Sequence, residues 1–387
     1  MIPYGRQDIS DADIAAVAEV LSSDFLTQGP MVPKFEQGVA AYTGAAHAVA
    51  VNSATSALHI ACLALGLGEG DWLWTSAITF VASANCARYC GASVDFVDID
   101  AQTYNMSPEC LAAKLGQAER TGKLPKIVVP VHLAGQPCDL RAIRELSERY
   151  GFRIIEDASH AIGSEYRGSR VGNCEYSDIA IFSFHPVKII TTGEGGMALT
   201  NDAALASRIR LLQSHGITRD PARMSMSGTV GPWYYEQIAL GYNYRLTDIQ
   251  AALGLSQLRR LSQFISDRQV IADRYSELLA DLPVTTPWQH PDGRSALHLY
   301  IVRLDLDRIA KSQVEVFNAM RAAGIGVNLH YIPVYRQPYY QQLGFRSGYC
   351  PQAERYYAEA MTLPLFPAMT VGQQQSVVGA LAGAFSS

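Results

Sequence analysis

The chain has 387 residues, 48% of them hydrophobic and 17% charged, which fits one large α/β unit plus a smaller one and excludes extended disorder. A formal net charge of -5 without a basic cluster gives no basis for nucleic-acid binding, and no uninterrupted apolar run reaches the roughly eighteen residues of a membrane span. Seven scattered cysteines with no Cys-x-x-Cys pair point to reduced thiols rather than a disulfide framework or a zinc site.

The opening Met1 to Asp8 lacks a basic-then-apolar leader pattern, so a cytoplasmic protein is expected. Ser10-Asp11-Ala12-Asp13 predicts a helix start, followed by an amphipathic run through Ile14, Val17, Val20 and Leu21. From 48 to 200 the chain alternates β-rich runs with helical patterns. The strand candidates are Ala48–Val51, Trp72–Thr75, Val94–Ile99, Ile127–Val131, Arg153–Ile155, Ile179–Phe182 and Met197–Thr200, with helices such as Thr55–Leu65 and Leu140–Tyr150 between them. Such alternation predicts helices covering a mostly parallel sheet, and the nearly all-apolar runs fit strands buried on both faces.

Residues 201–214 and 247–280 read as helical. Between them, Gly216 to Arg245 has no regular periodicity and ends in Trp233-Tyr234-Tyr235 and Gly241-Tyr242-Asn243-Tyr244-Arg245. An irregular stretch of that length is expected to serve function or to meet another chain. The last hundred residues read as strand (Leu297–Leu304), helix (Ser312–Ala323, closed by Gly324), strand (Gly326–Tyr331) and further helices. We therefore expect a large domain over residues 1–250, carrying an N-terminal arm and the 216–245 loop, and a small C-terminal α/β domain over residues 251–387.

Ligands of open α/β sheets collect at the carboxyl ends of strands, and three polar clusters follow strand ends here. Asn52-Ser53-Ala54-Thr55-Ser56-Ala57 leads into a helix; its small residues expose backbone amides and the helix dipole favours an anion, although a plain Ser/Thr helix cap has the same appearance. In Ile155-Glu156-Asp157-Ala158-Ser159-His160, the Asp157 carboxylate can bond a protonated ring nitrogen of a pyridine cofactor or simply cap a helix. His160 either faces the same ring or is a satisfied core histidine. Phe182-Ser183-Phe184-His185-Pro186-Val187-Lys188, followed by Thr191-Thr192-Gly193-Glu194-Gly195-Gly196, carries one lysine in a turn after an apolar strand. Withdrawn from water, that amine has a lowered pKa and can form a Schiff base with an aldehyde; left in water it is an ordinary surface lysine.

Phosphate cup, strand-end acid and lysine together are what pyridoxal 5'-phosphate requires. Phe80, in Thr79-Phe80-Val81-Ala82, is placed to cover a ring face or to be a buried aromatic. Other cofactors fit poorly. Gly66-Leu67-Gly68-Glu69-Gly70 lacks dinucleotide-fingerprint spacing, Gly163 and Gly168 precede Ser169-Arg170 rather than a P-loop Lys, and the nine histidines show no metal spacing.

Leu26-Thr27-Gln28-Gly29, Asn52 to Leu58, Glu156-Asp157-Ala158-Ser159-His160-Ala161, the Lys188 turn with Glu194-Gly195-Gly196, and Gly241 to Ala252 together resemble the DegT/DnrJ/EryC1/StrS aminotransferases. The resemblance implies a fold-type I pyridoxal-phosphate-dependent transferase acting on nucleotide-linked keto-sugars. Ser159-His160, Phe184 to Lys188 and Ser164-Glu165-Tyr166 look most like the branch that aminates C4 in pseudaminic acid biosynthesis. That branch takes UDP-2-acetamido-2,6-dideoxy-β-L-arabino-hexos-4-ulose, a UDP-linked 4-keto-6-deoxy sugar, with L-glutamate becoming 2-oxoglutarate. The resemblance makes Lys188 the Schiff-base lysine, Asp157 the partner of the ring nitrogen, and Ala54, Thr55 and Ser183 the phosphate holders. Asn243 and Arg245 would reach the cofactor from the other subunit of a homodimer, and His160 would sit against its ring. Tyr4, Asp24, Phe25, Leu26, Thr27, His185, Asn328, Leu329, His330 and Tyr331 would contact the sugar nucleotide.

Overall fold

The computed structural model describes residues 1–225 and 231–386, so part of the irregular 216–245 stretch, residues 226–230, lies outside the described residues. Seven strands form the central sheet. They are β1 (His47–Val51), β2 (Trp72–Ser76), β3 (Ser93–Val97), β4 (Ile127–Val129), β5 (Arg153–Asp157), β8 (Ile179–Ser183) and β9 (Gly196–Thr200). A small hairpin, β6 (Glu165–Tyr166) and β7 (Ser169–Arg170), lies between β5 and β8 outside that sheet. The spatial order is β1-β9-β8-β5-β4-β2-β3, and β9 alone runs antiparallel to its neighbours.

Each of the seven strand runs predicted between residues 48 and 200 is present. β8 and β9 are buried along their whole length, as their apolar sequences require. Alternate residues feed two cores. Ile179 and Ile181 pack with Leu58 and Ala61 of α3 (Ala54–Ala64), which follows β1. Ala180 and Phe182 pack with Phe35 and Val39 of α2 (Met31–Thr43), which comes after α1 (Asp11–Leu21). The N-terminus of α1 carries a capping box between Ser10 and Asp13, the signature its sequence shows. Helices α4 (Ala82–Tyr89), α5 (Pro108–Thr121) and α6 (Leu140–Tyr150) complete the crossovers between β2 and β5, and α7 (Ala203–Gln213) follows β9.

The 247–280 helical pattern is two helices, α8 (Asp248–Arg259) and α9 (Leu261–Leu278), separated at Arg260 by a non-helical backbone (φ -99°, ψ 1°). Beyond α9, a three-stranded antiparallel sheet of Val284–Thr285, Tyr300–Leu304 and Ala360–Leu363 packs Val302, Met361 and Leu363 against Tyr275 of α9 and Met320 of the helix Gln313–Ala322.

The strand expected over Gly326–Tyr331 does not form. The segment is extended but makes only single bridges, Ile325 with Ile2 and Asn328 with Thr362. One end is held by the N-terminal arm and the other by a sheet edge, so no continuous ladder can build. Its far end, His330-Tyr331, is delivered to the carboxyl edge of the main sheet.

Candidate active site

The carboxyl ends of β1, β2, β5 and β8 open onto one cavity of about 790 Å³, also lined by Tyr4 and the 328–331 segment. At the end of β1, Ser53 caps α3 with its hydroxyl accepting the Ser56 N–H at 3.1 Å. The amides of Ala54 and Thr55 lie at the open N-terminus of α3 on the cavity wall, where a helix presents unpaired N–H groups and a partial positive charge. β9 approaches this cup closely: a Cβ on Gly196 would sit 2.5 Å from the Ala54 nitrogen. Asn52, also on the wall, keeps its Oδ1 buried and unpartnered. Ser183, the last residue of β8, faces the same space.

Asp157 ends β5. No helix begins after it, so its carboxylate caps none; Oδ1 accepts the Ser159 N–H at 3.1 Å and Oδ2 accepts the Ser83 hydroxyl at 2.6 Å. Ser83 in turn lies 2.7 Å from the Thr79 hydroxyl. Strand alternation turns the neighbouring Glu156 to the other face of the sheet, where it pairs with buried His132 at 3.0 Å.

Lys188 sits in the connection between β8 and β9. Ile189 and Ile190 are buried, the Lys188 N–H donates to the His185 carbonyl at 2.9 Å, and Thr191 and Thr192 both bond the Phe184 carbonyl. These anchors aim the amine into the cavity. Burial lowers its pKa from the ordinary 10.5 to about 8, against an upward pull from the Asp157 carboxylate. That shift raises the free-amine fraction at neutral pH by roughly 300-fold.

The structure therefore brings Lys188, Asp157, Ala54, Thr55, Ser183, His160 and Phe80 to one cavity, together with Tyr4, His185, Asn328, Leu329, His330 and Tyr331. Phe80 is 57% exposed at the lip rather than a buried core aromatic, and its ring lies 6.1 Å from that of Tyr331. His160 is buried, receives the Ala134 N–H on Nδ1, and is held uncharged by burial and by the nearby Lys188 charge. Burial and the Lys188 charge likewise depress His330, to about 3.

Six expected site residues lie outside this cavity. Asp24, Phe25, Leu26 and Thr27 are exposed on the arm before α2, where the Leu26 carbonyl accepts the Asp248 N–H and Thr27 bridges Thr247. Arg245 bridges Val51 at the end of β1 and donates to the Ser214 hydroxyl, and Asn243 bridges Ser214. Sequence reasoning missed Ser83, Thr79, Glu194 and His298. The i, i+4 spacing of Thr79 and Ser83 after a strand end was a usable signal for that pair. Nothing local marks His298, whose ring packs against that of His160 at a tilt of 49° with centroids 4.5 Å apart.

Among the described residues, no cluster of three or more His, Cys, Asp or Glu side chains could hold a metal ion, and no helix is long and apolar enough to cross a membrane.

The whole chain has known relatives. It is 40% identical over 383 residues to the spore coat polysaccharide biosynthesis protein SpsC of Bacillus subtilis, covering 98% of this chain and 96% of that protein. It superposes on PseC of Helicobacter pylori, an aminotransferase involved in the biosynthesis of pseudoaminic acid, with a TM-score of 0.89, 30% identity and 99% of each chain covered. The same values describe the likeness to the PMP-form of Spr1654, a putative sugar aminotransferase of Streptococcus pneumoniae; its PLP-form matches with a TM-score of 0.87 at 30% identity, covering 99% and 98% of the two chains. The model of the DegT/DnrJ/EryC1/StrS aminotransferase family matches residues 7–382, and the chain belongs to that family.

Proposed function

We propose that this aminotransferase uses pyridoxal 5'-phosphate to move the amino group of L-glutamate to C4 of UDP-2-acetamido-2,6-dideoxy-β-L-arabino-hexos-4-ulose. The observation that carries the reading is the convergence of a helix-end anion cup, a strand-end carboxylate and a lysine with its pKa lowered to about 8 on one cavity. The likeness to the pseudaminic-pathway enzyme of H. pylori supports the sugar. The higher identity to SpsC favours a second reading, a different nucleotide-linked keto-sugar destined for a coat polysaccharide.

Bound here, the cofactor supplies an aldehyde and a ring that withdraws electrons when its nitrogen is protonated. The amides of Ala54 and Thr55 and the Ser183 hydroxyl hold its phosphate. The Asp157 carboxylate, fixed by Ser83 and Ser159, keeps the ring nitrogen charged. Phe80 and His160 bound the ring, and Lys188, with its pKa of about 8, takes and returns the proton at the reacting carbon. A positioned amine base contributes about a hundred- to ten-thousandfold.

We place Asn243 and Arg245 in the cavity of a second copy within a homodimer. Their position outside their own chain's cavity supports this, as do the exposed Trp233 (75%) and Leu240 (76%) of the preceding loop. With all seven cysteines free, we assign the enzyme to the cytoplasm.

The test is to add L-glutamate to the purified holoenzyme and then a panel of UDP- and dTDP-linked keto-sugars, with products identified by NMR. A 4-amino product from the UDP-β-L-arabino sugar is expected. No conversion of the cofactor's visible band by glutamate sinks the aminotransferase role; amination of another sugar only supports the second reading.

A further inference from the structure

We propose that the Tyr331 hydroxyl donates a hydrogen bond to an oxygen of the bound keto-sugar, and that Ala134, His160 and His298 are the positioning residues that turn its proton that way. This rests on the keto-sugar reading above and adds the atom that recognises the sugar.

The direction follows from what each group is able to give. The Ala134 amide lies 3.2 Å from His160 Nδ1, and an amide nitrogen only donates, so Nδ1 carries the lone pair. His160 is 6% exposed and faces Lys188 and His330, which disfavours a second ring proton. Its one proton is therefore on Nε2, and Nε2 lies 3.2 Å from the Tyr331 oxygen. His160 gives and Tyr331 receives. The phenolic proton is not spent on His160, and Tyr331 has no other hydrogen-bond partner among the described residues. Its side chain lines the cavity, where a ligand oxygen can take that proton.

The backbone around His160 is built to hold this arrangement. Ala134 adopts a left-handed conformation (φ 60°, ψ 5°), unusual for a residue with a side chain, and so does Leu297 (φ 51°) on the opposite wall. Between them, a Cβ on Gly135 would lie 3.0 Å from the His160 carbonyl and 3.1 Å from the Leu297 nitrogen, so the two walls touch. Leu297 leads into His298, whose ring leans against His160 with centroids 4.5 Å apart and planes tilted by 49°. Arg268, 1% exposed, fixes that segment by donating Nη1 to the carbonyls of Leu297, His298 and Leu365, each at 3.2 Å. His298 fills the space beside His160 and limits the tilt of its ring; its own Nδ1 is buried and has no partner.

The experiment uses the holoenzyme and the keto-sugar that the wild type aminates. Tyr331→Phe, His298→Gln, His298→Phe and the double variant Tyr331→Phe/His298→Gln are compared. Conversion of the cofactor band by glutamate, the KM for the sugar, calorimetric binding of the same sugar to the apoprotein, and the melting temperature are each measured. Losing one neutral hydrogen bond predicts a rise of about tenfold in sugar KM and apoprotein Kd for Tyr331→Phe, with a clearly smaller loss in the glutamate step. His298→Gln raises the sugar KM by less and adds nothing in the double variant. His298→Phe, which keeps a flat ring, recovers most of the loss.

An unchanged sugar KM in Tyr331→Phe, or equal losses in both half-reactions, overturns the donor role. Additive losses in the double variant, or a Phe as harmful as Gln, overturn the role of His298. A wild type inert to glutamate is a failure of the proposed function and is seen before any variant is made.

Discussion

Ser83 donates its hydroxyl hydrogen to Asp157 Oδ2 across 2.6 Å, joining the first turn of α4 to the tip of β5. With the Ser159 amide on the other oxygen, the carboxylate is held from two sides and faces the cavity in one orientation.

That contact predicts the behaviour of Ser83→Ala. A hydrogen bond to a charged group contributes about 1.5–3 kcal/mol, so the variant should hold pyridoxal phosphate at least about tenfold more weakly. Titration of the apoprotein with the cofactor, followed by absorbance, measures it. Wild-type affinity in a folded variant would show that Ser83 is not what fixes Asp157.

Lys188→Met is expected to stabilise the apoprotein. The amine titrates near 8 in the folded chain and near 10.5 when solvated, so between those values the unfolded chain binds more protons. The folded state bears a penalty below pH 8 that fades as pH rises through this window. Discounted for partial exposure, removing the amine should add about 1–3 kcal/mol at neutral pH. Urea melts of both proteins at several pH values check the sign. A gain that does not shrink towards pH 10.5 would mean that the depressed pKa is not its source.

How much of this was legible in the sequence depended on whether the signal was local. β5 has an apolar Ile154-Ile155 centre and ends in Asp157, and the apolar β8 runs into the short turn that carries Lys188, so fold and two site residues could be read together. His160 was visible three residues past Asp157. Its orientation was not, because that comes from Ala134 and Tyr331, far along the chain in either direction. His298 reaches the cavity only because Arg268 and Gly135 let a distant wall close on it. The arm residues Asp24 to Thr27 are a different case. Their motif is real, but its folded role within one chain is to pack beside α8, and no spacing rule shows which cavity, if any, an exposed arm serves.

Two glycines near the cup separate crowding from backbone strain. In Gly196→Ala the new methyl would press on the Ala54 amide and the Ser53 carbonyl carbon, both at 2.5 Å and both backbone. Overpacking of this kind costs about 1–3 kcal/mol and should push the phosphate cup open. Gly193→Ala meets nothing within 4 Å and carries only the strain of φ +81°, worth about 1 kcal/mol. Melting temperature should fall in both, while cofactor affinity should drop in Gly196→Ala alone. Equal cofactor affinities in the two variants would show that the close approach of β9 does not shape the cup.

Asp248 is the last case, where a motif residue serves the fold at a distance from the chemistry. It is fully buried at the start of α8, and its carboxylate accepts the Gly29 amide at 2.7 Å and the Met31 amide at 2.6 Å. Gly29 must be glycine for this, since a Cβ there would lie 2.4 Å from the Phe25 Cβ. Asp248→Ala leaves both amides without their acceptor in a partly buried site, which should cost about 1–3 kcal/mol. The loss should be concentrated in the arm. Amide hydrogen exchange over residues 24–32 is expected to accelerate far more than in β8, whose backbone bonds Asp248 does not touch. Asp248→Asn keeps one carbonyl oxygen for these amides but puts an NH₂ group where the second acceptor was, so it should fall between wild type and Ala. If Asn proves as harmful as Ala, the negative charge at the α8 N-terminus, rather than the geometry of the two acceptors, is what anchors the arm.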